Sequence, residues 1–229
     1  MNPSKFIVSV DSVIFGYCAG TIYTPLYNRG RSKADPFPGH WSLAGGPLRP
    51  NESLEDACRR KLEEDLKLKV EYLEQLYTFG DPKRDPRNRS ISIAYFALIK
   101  LSEEKIENDD TQMKVHWFPI SQLPKSDWAF DHRQIVATAI ERLKAKVTYE
   151  PIGFNLLDTE FSIPQLQNLY EAILERDLDR RNFAKKIHSF DLLIPTRTIR
   201  AGRGRPSQLY KFDTKQYKRL QKEGLLFEV

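Results

Sequence analysis

The side chains with the clearest chemical potential are Glu52, Glu64 and Asp65, with Arg60 and Lys61 set among them. They lie in the run Gly46–Leu68, GPLRPNESLEDACRRKLEEDLKL. The spacing predicts a helix starting near 51–53, with Asn51 or Ser53 as cap and Glu52, Glu55 and Asp56 in its first turn, where the helix dipole favours acids. Leu54, Ala57, Cys58, Leu62 and Leu66 recur at helical spacing as a buried stripe. At ~100° per residue, positions 61, 64 and 65 share an arc of ~100°. Carboxylates gathered in this way can hold Mg²⁺, which can polarise a bound oxygen and activate a water. Lys61 sits between Glu64 and Asp65, so its ammonium can pair with either at i,i+3 or i,i+4. The same ammonium repels a divalent cation, and Mg²⁺ tolerates little departure from ideal geometry. The expectation is weak or absent Mg²⁺, no required cofactor, and no residue assigned as catalytic or as a metal ligand.

Binding an anion demands less. Gly45 and Gly46 let the backbone approach a phosphate, the helix N-terminus favours negative charge, and Arg49 can pair with a diphosphate. The candidate effector residues are therefore Gly45, Gly46, Arg49, Glu64 and Asp65, joined by Arg84 from the polar loop GDPKRDPRNR (80–89). That loop reads either as solvated surface or as an effector and interdomain contact. A scaffold that has lost its ligand is the other reading of the whole stretch.

These residues need elements to position them. Phe6–Phe15 alternates apolar and polar residues as a strand does, with Thr21–Tyr27 as its partner. Pro36–Gly46 reads as a loop punctuated by Pro and Gly. Val70–Phe79, Ile91–Leu101 and Lys114–Pro119 are further strands, and Ile135–Val147 is a helix that closes the domain. With 40% hydrophobic and 11% aromatic residues the chain buries a real core, which excludes a disordered segment. No apolar run is long enough to span a bilayer, and the first dozen residues lack the apolar stretch of a secretory signal. A cytoplasmic protein with no membrane partner is expected. Cys18 and Cys58 have no metal-type spacing and read as buried thiols.

The pattern resets around Tyr149–Glu160, which places the boundary between domains 1–150 and 151–229. Ser162 caps a helix carrying Leu166, Leu169, Tyr170 and Ile173 on one face. Asp179 caps a second, Arg180–His188, with Phe183 and Ile187 inward and Arg181, Lys185 and His188 outward. Leu192–Ile199 and Gln208–Phe212 read as strands joined by a loop RAGRGRPS (200–207), and Thr214–Lys222 as a final basic helix. Overall the net charge is only +5, yet Arg180–Lys222 holds thirteen Lys and Arg against Asp191 and Asp213. Residues 1–150 are nearly neutral, with 22 basic and 21 acidic side chains. A positive field confined to one end points to a polyanion, or to a solvated basic face. Two short helices around a tight turn match a helix-turn-helix, so the partner indicated is double-stranded DNA. Arg180, Arg181, Lys185 and Lys186 would enter the major groove, and Arg200, Arg203 and Arg205 would form a wing at the backbone or minor groove. Phe183, Leu192 and Tyr210 are core residues, while His132 and His188 lack metal-ligand neighbours and read as structural or surface histidines.

The box Gly46–Leu68 resembles the Nudix signature, in which Gly46, Glu52, Arg60, Leu62, Glu64 and Leu68 fit, whereas Lys61, Asp65 and Lys67 replace two glutamates and a glycine. The preceding PFPGHWSLAGGPL is similar to the family's entry loop, with Ala44 where proline is usual. LYTFGDPKRDPRNRSISIAYFALI, FDHRQIVATAIERLKAKV, FSIPQLQNLYEAILERDLDRRNFAKKI and GRPSQLYKF extend the likeness over nearly the full chain. Together they resemble the Nudix-related transcriptional regulators of NAD metabolism, the NrtR type. The resemblance implies an α+β fold: an N-terminal Nudix-like α/β/α sandwich with a mixed sheet and a C-terminal winged helix-turn-helix. It also implies a homodimer on operator DNA, a repressor answering to ADP-ribose or a related nucleotide or sugar. In that family Arg60 orients a glutamate. The alternative is a Nudix hydrolase such as an ADP-ribose pyrophosphatase, alone or combined with regulation.

Overall fold

The computed structural model describes residues 6–30, 32, 35–107, 115–202, 204–224 and 227–228, and the side chains of these except 198–206. Two compact units emerge: one from the residues up to Cys18 together with Ile22–Arg142, the other from Ala19–Thr21 together with the chain from Leu143 onward.

The first unit is organised by a seven-stranded mixed sheet. Strands β1 (Ile7–Cys18) and β6 (Ser90–Lys100) run parallel over eleven register pairs. Every other pairing with a described register is antiparallel: β4 (Ala44–Pro47) on β1, β5 (Tyr72–Phe79) on β6, and β3 (Trp41–Ser42) and β7 (Val115–Pro119) on β2 (Thr21–Asn28). The stretch Pro36–Gly46, expected as loop, thus contains two short strands. Its last residues are drawn into the sheet because β4 completes the free edge of β1 at Ser9–Ser12.

Helix α1 (Leu54–Leu66) covers part of this sheet. Ser53 caps it, its hydroxyl accepting the Asp56 N–H at 3.1 Å. Ala57 and Cys58 pack with Val10 and Tyr95, and Leu62 packs with Ile14, Ala44 and Ala97. Burying Leu62 alone contributes about 2 kcal/mol. Burial pushes the Cys58 thiol up to about 12. The helix ends at Lys67 in the left-handed conformation, φ 53°. The signature's glycine suits that conformation, so lysine there carries a strain of about 1 kcal/mol. A short helix α2 (Glu103–Glu107) precedes β7, and α3 (His132–Tyr149) follows it.

In the second unit the last turns of α3 pack with the residues that follow. Lys144 pairs with Glu175 at 2.8 Å, and Gly153 fits where its missing Cβ leaves room for Val147, Leu169 and Tyr170. The change of pattern read near residue 150 marks the end of that helix; the compact unit begins at Leu143. Helix α4 (Ile163–Leu174) starts in a reciprocal capping box of Ser162 and Gln165, and α5 (Arg180–Ser189) is capped by Asp179. The turn between them is pinned: Glu171 accepts the Leu178 N–H at 3.0 Å, and Gln167 donates to both Glu171 and the Leu178 carbonyl at 2.8 Å. Tyr170 and Phe183 meet edge to face beneath it, ring centres 5.3 Å apart. A hairpin of β8 (Leu193–Gly202) and β9 (Gly204–Phe212) and a helix α6 (Thr214–Lys222) complete the unit. The run 200–207, expected as a connecting loop, is largely strand, because pairing continues through Arg200 with Ser207 and Gly202 with Gly204.

Candidate functional site

A cavity of about 410 Å³ opens in the first unit, within the range of small-molecule sites. Its floor is a buried ionic network that begins on β1. Asp11, 6% exposed, accepts from Ser92 Oγ at 2.5 Å and from Arg84 at 3.2 Å. Arg84 in turn donates twice to Asp131, at 2.8 and 2.9 Å, and once to Ser90 Oγ. His132 closes the network: the Leu43 N–H donates to its Nδ1 at 3.0 Å, which leaves the ring proton on Nε2, 3.3 Å from Asp11 Oδ1. Burial opposes ionisation of Asp11, but His132, Ser92 and Arg84 outweigh it and hold the carboxyl at about 2. Gly45 lies opposite Asp11 in the antiparallel register. A Cβ there would collide with the Asp11 carboxylate and the Val10 carbonyl, so the position admits only glycine.

The walls differ from the floor. Phe130 lines the cavity with its backbone at φ 52°, a left-handed conformation that is strained for an aromatic residue. Guanidinium groups of Arg29 and Arg87 stand 5.0 and 5.6 Å from its ring centre, and Phe37 meets it edge to face at 4.7 Å. Both arginines are also held by carboxylates, Arg29 by Asp35 and Arg87 by Asp85. A cavity with a flat aromatic wall, two cations and a hydrogen-bonding floor suits a ligand that joins a ring system to anionic groups.

Of the residues singled out from the sequence, Gly45, Gly46 and Arg84 line this cavity, and Arg84 is turned into its floor. Asp85, Arg87 and Asn88 come from the same 80–89 loop, which therefore contributes to the pocket. Arg49, Glu64 and Asp65 do not line it. Arg49 and Glu64 are exposed and paired at 3.0 Å, while Asp65 pairs with Lys61 at 2.7 Å. Arg60 binds Glu52 at 2.6 and 2.8 Å and reaches Glu64 at 3.2 Å, the orienting role expected of it. Those Arg60 bonds come first in drawing the Glu52 carboxyl down to about 2, with the Arg49 N–H assisting. Sequence reasoning missed Asp11, Arg29, Ser42 and Phe130 as pocket residues and gave His132 no part in one. The faint signal was the polar Asp11 within an apolar strand.

In the second unit, Arg180, Arg181, Lys185 and Lys186 of α5 are all exposed. Phe183 and Ile187 hold the opposite side in the core, at 4% and 2% exposure. Arg181 and Lys185, one helical turn apart, share the face turned away from that core. Among the described residues none of these four cations makes an ion pair, though Lys186 lies over the Phe190 ring. Leu192 and Phe183 are core residues as expected, and His188 meets Tyr210 edge to face. Arg203 lies outside the described residues, as do the side chains of Arg200 and Arg205.

Residues 26–139 match the Nudix domain family, and residues 153–212 match the NrtR DNA-binding winged helix domain. A relative from Acinetobacter baylyi, the ADPR responsive transcriptional repressor NtrR, is 32% identical over 215 residues, 92% of this chain and 84% of its own. The crystal structure of Shewanella oneidensis NrtR complexed with a 27mer DNA is similar with a TM-score of 0.80 at 33% identity, covering 92% of this chain and 95% of that one. The NUDIX domain of the same Shewanella protein, complexed with ADP ribose, gives 0.51 at 32% identity over 61% of this chain and 89% of its own. The mixed sheet with α1 is thus a Nudix domain, and α4, α5 and the β8–β9 hairpin form a winged helix domain.

Proposed function

The chain belongs to the NrtR family of Nudix-related transcriptional regulators, and from that premise we propose that it is a DNA-binding repressor whose Nudix domain senses ADP-ribose. The observation that carries this reading is the outer face of α5, where Arg181 and Lys185 stand exposed with no carboxylate paired to them among the described residues. A helix held rigidly from behind, with cations at i and i+4 in front, is fitted to the major groove: arginine forks meet guanine edges, and lysines meet phosphates. Arg180 and Lys186 flank that row and serve the backbone. The protein acts as a homodimer on a palindromic operator, its half-sites about one helical turn or a multiple apart.

ADP-ribose fits the cavity chemically. Its adenine offers a flat face for Phe130, and its ribose hydroxyls offer donors and acceptors for the polar floor. To reduce operator occupancy tenfold, the ligand needs about 1.4 kcal/mol of preference for the DNA-free arrangement. Selection of binding sites from random duplex DNA, with and without ADP-ribose, tests both parts. A palindrome enriched without ligand and weakened with it is the expected result. Absence of any enriched sequence would overturn the regulator, and Mg²⁺-dependent AMP release abolished by Glu64→Gln would put a hydrolase in its place.

A further inference from the structure

Hydrolases of the Nudix fold gather carboxylates around a divalent metal, and the residues present here do not fit one. Glu52, Glu64 and Asp65, the box carboxylates singled out from the sequence, each already have a cation from the chain itself: Glu52 has Arg60, Glu64 has Arg49 and Arg60, and Asp65 has Lys61. Three cations against three carboxylates leave the cluster neutral before any ion arrives. Among the described residues no group of three or more His, Cys, Asp or Glu is placed to hold a metal.

We infer that the ammonium of Lys61 takes the place of that metal, as a tethered cation that binds the diphosphate of the effector without any divalent ion. Its Nζ is clamped 2.7 Å from Asp65 Oδ1 and 3.5 Å from Glu64 Oε2. Only the first is a short hydrogen bond, so of the three N–H groups of an ammonium at least one remains for a phosphate oxygen. The side chain is 17% exposed, so it is held in place without being sealed from solvent. Its position relative to the cavity follows from Gly46, which lines that cavity. A Cβ on Gly46 would stand 3.3 Å from Lys61 Cε and 3.9 Å from Nζ. The lysine stem therefore lies against the bare backbone of the cavity's edge, and a side chain at Gly46 would crowd it. A metal-free neutral cluster accepts a diphosphate because the added negative charge meets no surplus of carboxylate.

This inference rests on the effector reading above, and two probes keep their failures apart. The full chain is titrated calorimetrically with ADP-ribose and, separately, with inorganic pyrophosphate, each in EDTA; the ADP-ribose titration is repeated in Mg²⁺. Wild-type protein is expected to bind ADP-ribose equally in EDTA and Mg²⁺. Lys61→Met, which keeps the stem and removes the charge, should weaken binding in EDTA roughly tenfold or more. Lys61→Arg should retain it, and Lys61→Glu should lose it in EDTA and recover part of it with Mg²⁺. Thermal melts of each variant report whether the fold is intact. Wild-type binding that requires Mg²⁺, or an unaltered Lys61→Met in EDTA, would overturn the inference. Pyrophosphate bound in EDTA by wild type and lost in Lys61→Met, with no ADP-ribose bound, would keep the tethered cation and discard the effector. Neither ligand bound in EDTA would overturn it.

Discussion

Helices α1 and α5 both carry conspicuous cations, and they handle them in opposite ways. On α1, Arg60 and Lys61 each lie within 3.5 Å of carboxylates, and the cluster is neutral. On α5, four exposed cations have no ion-pair partner among the described residues. Neutralised charge shapes a local surface and acts over a few ångströms; uncompensated charge projects a field about a Debye length into solution, ~8 Å at physiological salt. One helix is thereby built for a small bound anion and the other for a long polyanion. The count of basic residues alone would not separate them.

The largest effect should come from disturbing charge that is paired and buried. Asp11→Asn leaves Arg84 with Asp131 as its one carboxylate in the cavity floor and should destabilise the Nudix domain by about 3 kcal/mol, measured by urea unfolding. Unchanged stability would mean that the floor network contributes nothing to the fold. Arg181→Ala combined with Lys185→Ala removes unpaired charge and should leave stability unaltered. Operator affinity should fall about 100-fold, with the salt dependence shallower by about two counterions, as fluorescence anisotropy would report. Equal affinity for duplex DNA would erase the distinction between α1 and α5.

Acid provides a smaller and graded test. The Asp11 carboxyl lies at about 2 in the fold, against 3.8 when free. Its contribution is therefore complete above about pH 4 and is lost as the pH falls toward about 2, amounting to about 2 kcal/mol. Wild type should show this loss in unfolding experiments across that window, and Asp11→Asn should lack it. Smallest of all, Lys67→Gly relieves the left-handed residue at the end of α1 and should raise stability by about 1 kcal/mol in the same assay. A loss instead would show that the Lys67 ammonium bound to the Glu64 carbonyl matters more than the strain.

Local chemistry was legible in the chain, and long-range chemistry was not. The caps Ser53, Ser162 and Asp179, the pairing of Lys61 with Asp65, and the inward Phe183 and Ile187 all follow from spacings of three or four residues. The cavity floor draws Asp11, Arg84, Ser92 and His132 from separated stretches, and only the parallel register of β1 and β6, which pairs Asp11 with Ala94, brings its carboxylate within reach of Ser92 two positions away on the same face. A lone polar residue in an apolar strand does not say which partner will face it. Likewise the adjacency of Arg49 to Gly46 is plain in sequence, whereas the pairing of its side chain with Glu64, fifteen residues on, is not. The hairpin strands extend beyond their apolar stretches because backbone pairing, to which Arg and Gly contribute as well as Val does, continues after hydrophobic alternation stops.

The protein has two cysteines, Cys18 and Cys58, both free and both buried, and Cys58 is kept from ionising at neutral pH. Cys58 is fully covered and offers a thiol reagent no surface in the folded chain, whereas Cys18, at the end of β1, keeps 8% exposure. Cys58 reacts only when α1 lifts from Val10 and Tyr95, so its labelling rate is a clock for that opening. The molecule carries its own stopwatch beside the Nudix helix, and any ligand that tightens that helix will slow it without a dye, a tag or an added residue.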